Sequence, residues 1–128
     1  MRLFLSIAAI LAWLFGAALL LAPAKFYEPI GVSYTPMLGT VAQAHGATLI
    51  GLGVVTWLGR TADRQGLIAL LGGSLVVQIL SLLVALRTMS LGAGAAVTPA
   101  IIIHVVLGSL FGYFLFATVR ARAAAPRT

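Results

Sequence analysis

Leu67–Leu86 reads LIALLGGSLVVQILSLLVAL, twenty residues without an Asp, Glu, Lys or Arg. At 1.5 Å of rise per residue, a helix of that length crosses a hydrocarbon core of ~30 Å. Three further windows share this character: Leu3–Ala22, Leu38–Leu58 and Val97–Val119, all free of formal charge. Together the four hold 84 of the 128 residues. They lack the alternation of barrel strands, and an eight-stranded barrel needs more turns than this chain offers. The fold expected is all-α: a single-domain polytopic membrane protein, residues 1–128, built as a four-transmembrane-helix bundle.

Composition agrees. Hydrophobic residues make up 62% of the chain and charged residues 8%, with a mean hydropathy of +1.14. Soluble domains carry roughly 25% charged residues, so too little polar surface remains to coat a water-soluble globule. Disorder needs the opposite balance. A net charge of +6 is of the sign that suits nucleic acid, but the eight basic residues are scattered among apolar runs and form no patch, so no nucleic-acid partner is expected. With no cysteine, there is no disulfide framework, thiol nucleophile or thiolate-bound metal.

The first window has features of a secretory signal: Arg2 at its start and the small residues of Ala22-Pro23-Ala24 at its end. Its apolar run is longer than a signal core of 7–15 residues, and Ala8, Ala12 and Gly16 form a packing stripe, so a retained helix is expected. The basic residues then orient the bundle. Arg2, Arg60, Arg64, Arg120, Arg122 and Arg127 fall on one side, Lys25 and Arg87 on the other. Basic loops stay inside, which predicts a bacterial-type inner (plasma) membrane protein with both termini cytoplasmic. The short link Gly59–Gly66 predicts an antiparallel hairpin of the second and third spans, with Asp63 at the positive end of the third. Thr35-Pro36 and Thr98-Pro99 both read as a capping residue followed by the first helical proline.

Chemistry falls to the neutral polar residues. The second span carries Gln43, His45, Thr48 and Thr56, and the fourth His104, Ser109 and Tyr113. In the third, Ser74, Gln78 and Ser81 share one helical face. At 1.5 Å per residue, His45 lies about 14 Å in from Pro36, Gln78 about 12 Å in from Leu86 and His104 about 8 Å in from Pro99, all measured from the outer side. Glu28 hangs above them on the outer loop. Two readings stand. In one, His45, Gln78, His104 and Glu28 line a polar pocket in the outer half that holds a headgroup, relays protons or positions a lipid. In the other, they are interhelical hydrogen-bonding glue. Two histidines without HxxxH or HExxH spacing predict no metal site, no cofactor motif is present, and no span holds the acidic residue that proton-coupled exporters need. Gly39, Gly46 and Gly53 recur every seven residues, and Gly108 and Gly112 form a GxxxG pair. Both are seams for helix packing, within one chain or between subunits.

A first span ending Leu21-Ala22-Pro23 with Phe26 beyond it is followed by Pro29-Ile30-Gly31, by the run His45-Gly46-Ala47-Thr48-Leu49-Ile50-Gly51-Leu52-Gly53, and by Arg60 at the inner end. This layout resembles the DoxX-like proteins and related small four-helix bacterial membrane families. Where DoxX-like chains often carry an acidic residue just before the glycine-rich stretch, this chain has His45. The resemblance implies a compact bundle, some relatives being linked to redox or quinone-associated complexes, and it assigns no catalytic residue. The function expected is therefore that of a packing or accessory component, partnered by membrane lipids and by its own copies or a larger membrane complex. The alternative is a lipid- or quinone-binding protein, an isomerase or carrier, using the outer-half pocket.

Overall fold

The computed structural model describes residues 1–28, 31–93 and 97–121. Among the described residues there are five α-helices: α1 (Arg2–Leu21), α2 (Pro23–Tyr27), α3 (Pro36–Leu58), α4 (Arg64–Thr88) and α5 (Thr98–Arg120). All but the short α2 are long and apolar enough to cross a membrane. No strand occurs among the described residues, and the chain is an all-α bundle of four spans in an integral membrane protein.

Local chemistry sets the helix ends. Pro23 lacks an N–H and forces Ala22 out of the helical region, to φ −142° and ψ 54°, so α1 stops and α2 begins. Extended Thr35 accepts a hydrogen bond from the Leu38 N–H at 3.2 Å, ahead of Pro36 in the first turn of α3. Gly59–Thr61 tighten into a 3₁₀ turn, and Asp63 caps α4 by accepting from the Gly66 N–H at 2.8 Å. The expectation for Thr98 is corrected. Val97 occupies the cap position, Thr98 is already helical, and no side chain caps α5. α4 runs on through a wide π-type turn at Met89–Ala93.

The helices associate as two pairs, α1 with α3 and α4 with α5. Although α3 and α4 are joined by the shortest link, they share no face comparable to these. The expected hairpin of the second and third spans therefore turns at Gly59–Thr61 without packing along its length. Within a bilayer, burying apolar groups gives helices no net drive to associate, so close backbone approach matters most. Gly16 and Gly46 supply it. A Cβ on Gly46 would lie 2.6 Å from the Gly16 carbonyl oxygen, and one on Gly16 would lie 2.8 Å from that of Gly46. Trp13 packs on Gly53 and stands 5.4 Å from the Trp57 ring, and Gln43 Nε2 donates to the Leu20 carbonyl at 3.2 Å.

The pairs join in the half nearest the termini, where Leu5, Ala8, Leu67, Leu71 and Phe111 form a buried cluster. Phe4 meets Phe111 edge-on at 4.8 Å and stacks on Phe114 at 5.1 Å. Two arginines seal this end. Arg64 donates through Nε and Nη2 to the Thr118 carbonyl at 3.1 and 3.0 Å, and through Nη2 to that of Val119 at 3.1 Å. Arg60 lies on the Trp57 ring, 3.4 Å from its centre, and reaches Ser6 Oγ at 3.0 Å.

Overpacking a tight seam costs about 1–3 kcal/mol. Gly46→Ala should lower the unfolding midpoint in mild detergent, whereas Gly51→Ala, whose Cβ meets nothing within 4 Å, should leave it unchanged. Equal midpoints for the two variants would show that backbone approach at Gly46 does not hold the first pair together.

Candidate functional site

Of the polar residues expected to share a pocket, Gln78 and His104 come together. Gln78 faces α5 from the middle of α4, buried to 8% exposure, and its Oε1 lies 2.7 Å from His104 Nδ1. An amide oxygen only accepts, so Nδ1 carries the proton and donates. Gly108, one turn along from His104, faces the same helix, and a Cβ there would stand 3.4 Å from Gln78 Cβ, at ordinary contact distance. Gly112 faces Leu75 in the same way. The GxxxG pair is thus a seam to α4 inside the chain.

Around the polar pair lies a groove of about 190 Å³, lined by Leu75, Gln78, Ile79, Leu82, His104, Val105, Gly108 and Ser109. Its walls are apolar, and Ile79 and Val105 at its rim are about half exposed, so it opens sideways toward lipid. The geometry suits hydrogen bonding and binding. The lining holds one histidine and no carboxylate or hydroxyl–histidine dyad, and among the described residues no three His, Cys, Asp or Glu gather to hold a metal ion.

The other expected residues stand apart from this groove. His45 is exposed on α3, one residue and so about 100° round from Gly46, and is not among the groove's walls. Glu28 is exposed on the outer loop and lines a separate depression with Ala24, Gly31, Val32, Ser33 and Tyr34. Gly39 lies under the Tyr34 ring, and Gly46 and Gly53 face α1. Ser81 is half-buried. Ser74, a turn below Gln78, is buried, and its Oγ has no hydrogen-bond partner among the described residues. Two functional contacts were not read from sequence: the Gln43 bond to Leu20 and the Arg64 bonds to the end of α5. Arginine near a helix C-terminus is a general signal for the second, but α5 lies more than fifty residues away in sequence.

Interhelical hydrogen bonds in membranes average about 0.6 kcal/mol and reach about 1.7. A double-mutant cycle of His104→Ala and Gln78→Leu, read by unfolding in detergent, should return a coupling in that range, and strict additivity would exclude a working bond. An unpartnered buried hydroxyl costs about 1–3 kcal/mol. Ser74→Ala should therefore leave stability unchanged or raise it, and a loss would mean that Oγ has a partner in the membrane. Searches of family models, curated proteins and solved structures give no match to this chain.

Proposed function

We propose that this chain is a non-catalytic component of a membrane assembly, docking through the outward face of α3. The observation that carries this is a mismatch between polarity and position. Compared over their most apolar eighteen residues, α3 is the least apolar of the four spanning helices, yet its one extensive contact is with α1. The face turned away from α1 presents Thr40, Ala44, Ala47, Thr48 and Gly51, all exposed. The Thr40 and Thr48 hydroxyls donate to the carbonyls of Pro36 and Ala44, at 3.2 and 3.0 Å, so this face is smooth and internally satisfied. Such a surface offers lipid little and another helix much, because small residues admit close backbone contact.

The orientation follows from charge. Arg2, Arg60, Arg64 and Arg120 lie at the end that holds the first residues of α1 and the last of α5, Lys25 and Arg87 at the other; Arg122 and Arg127 fall outside the described residues. This bias supports an inner (plasma) membrane of bacterial type with cytoplasmic termini. The layout shared with DoxX-like proteins is in keeping with an accessory role. The groove of Gln78 and His104 supports a second reading, lipid or quinone binding in the outer half.

The chain has no cysteine, so single cysteines test the docking face directly. In native membranes, Ala44→Cys, Ala47→Cys and Gly51→Cys should cross-link to a second polypeptide, and Val77→Cys and Val84→Cys on the exposed side of α4 should not. In the same series, a membrane-impermeant maleimide added from outside should label Ser33→Cys and spare Thr61→Cys. Indifferent cross-linking at both helices would remove the docking face, and the reverse labelling would invert the topology.

A further inference from the structure

Arg60 behaves unlike an ordinary arginine at a membrane edge. Such side chains extend toward water and leave only their stems against lipid. Arg60 bends the other way. Its Nε donates to the Trp57 carbonyl three residues back at 2.7 Å, its guanidinium lies on the Trp57 ring, and Nη1 donates to Ser6 Oγ at 3.0 Å. Ser6 stands four residues beyond Arg2 in α1, about 6 Å further along its axis toward the membrane. The charge is thus held half-buried where headgroups meet hydrocarbon.

The chain does not answer that charge. Each partner of Arg60 is neutral: a carbonyl, a hydroxyl and an indole. The sequence has only two carboxylate side chains, Glu28 and Asp63. Glu28 lies at the opposite end of the bundle, and Asp63 Oδ1 accepts from the Gly66 N–H that it caps. One carboxylate therefore faces Arg2, Arg60, Arg64 and Arg120 at this end. Holding a half-buried cation without a counter-ion is costly, so an anion from outside the chain is favoured there.

Position says which anion. Phe4 faces α5, and Arg2 and Ser6 each lie two residues, about 200°, round α1 from it, so their shared face looks out of the bundle. Leu3 and Leu58, the neighbours of this edge, are 75% and 68% exposed and meet lipid. Arg60 Nη2 makes no hydrogen bond among the described residues and keeps its N–H donors, which suit a phosphate oxygen. A phosphate that reaches Arg60 from the membrane side is one carried by a lipid. We propose that the inner end of the α1–α3 seam seats the phosphate of an anionic phospholipid on Arg60, with Arg2 as the second cation. This is independent of the α3 docking face and of the α4–α5 groove.

The reporter is built in, because Trp57 lies under Arg60 and Trp13, the other tryptophan, is beside it. The full chain is reconstituted in phosphatidylcholine vesicles with a low fraction of phosphatidylglycerol or phosphatidylcholine brominated near the head of its acyl chains. Each arginine near an anionic surface is worth roughly five-fold in binding, so tryptophan quenching should report at least about a five-fold preference for the anionic lipid. Arg2→Gln and Arg60→Gln should each lower that preference by about three- to five-fold, Arg60→Lys should keep most of it, and Arg87→Gln at the outer end should leave it unchanged. Arg2 is exposed, so its variant decides the matter even if Arg60→Gln fails to fold. Equal quenching by the two lipids, or a preference that survives both glutamine variants, would overturn the proposal. Loss of the preference in inorganic phosphate buffer at constant ionic strength would assign the seat to a free anion. Displacement of the brominated lipid by polyglutamate more readily than by unbrominated phosphatidylglycerol would assign it to an acidic protein. Either result would overturn the lipid.

Discussion

Arg64 is the tie on which the arrangement of the bundle depends. Its guanidinium leaves the first turn of α4 and closes on the Thr118 and Val119 carbonyls, two of the acceptors that the end of α5 cannot satisfy internally. It also sets a cation where the helix carries partial negative charge. Hydrogen bonds to charged groups contribute about 1.5–3 kcal/mol, and a half-buried position at a membrane boundary favours the lower end of that range. Arg60, four residues earlier, binds Ser6 of α1 and covers Trp57 of α3. One short segment therefore holds all four spanning helices at the same end, and the phenylalanine cluster above it follows from that proximity.

With one end fixed, the helix pairs are held by different means along the rest of their length. α1 and α3 meet backbone to backbone at Gly16 and Gly46, and the indoles of Trp13 and Trp57 fill the space below. α4 and α5 meet through the bond between Gln78 and His104, with Gly108 and Gly112 facing α4 at ordinary contact distance. The tight glycine contact of the first pair leaves no room between the backbones, whereas the looser second pair carries a groove beside Gly108.

The number and extent of the spans were legible in sequence because lipid demands about twenty apolar residues and nothing subtler. Leu38–Leu58 and Pro36–Leu58 differ by two residues at one end. The roles of Thr35 and Asp63 were legible because capping is local, requiring only the right side chain three residues ahead of a free N–H. Thr98 shows the limit of such motifs: the dipeptide matches Thr35-Pro36, but the helix starts one residue earlier and Val97 takes the cap position. Which helices pair was not legible. A span surrounded by lipid needs no distinction between its lipid face and its buried face, so hydropathy cannot say that α3 lies on α1 and not on α4. The same gap separates Gln78 and His104, whose similar depths made a meeting possible, from His45, which has a suitable depth on a helix facing elsewhere.

Satisfaction of polar groups locates the unfinished chemistry. Among the spans, Thr40, Thr48 and Thr118 each return their hydroxyl proton to the carbonyl four residues back, and Gln43 finds the Leu20 carbonyl. The three hydroxyls are satisfied within their own helices, and Gln43 uses one atom of its amide to tie α3 to α1. The bond between His104 and Gln78 likewise uses one polar atom of each side chain, beside an apolar groove that opens toward lipid. A bilayer interior supplies no water to complete what remains, so polar capacity inside a span carries a cost that helix contacts have to absorb. That cost is why the polar residues of the spans gather at helix contacts and at carbonyls one turn back, and why the apolar stretches between them can face lipid.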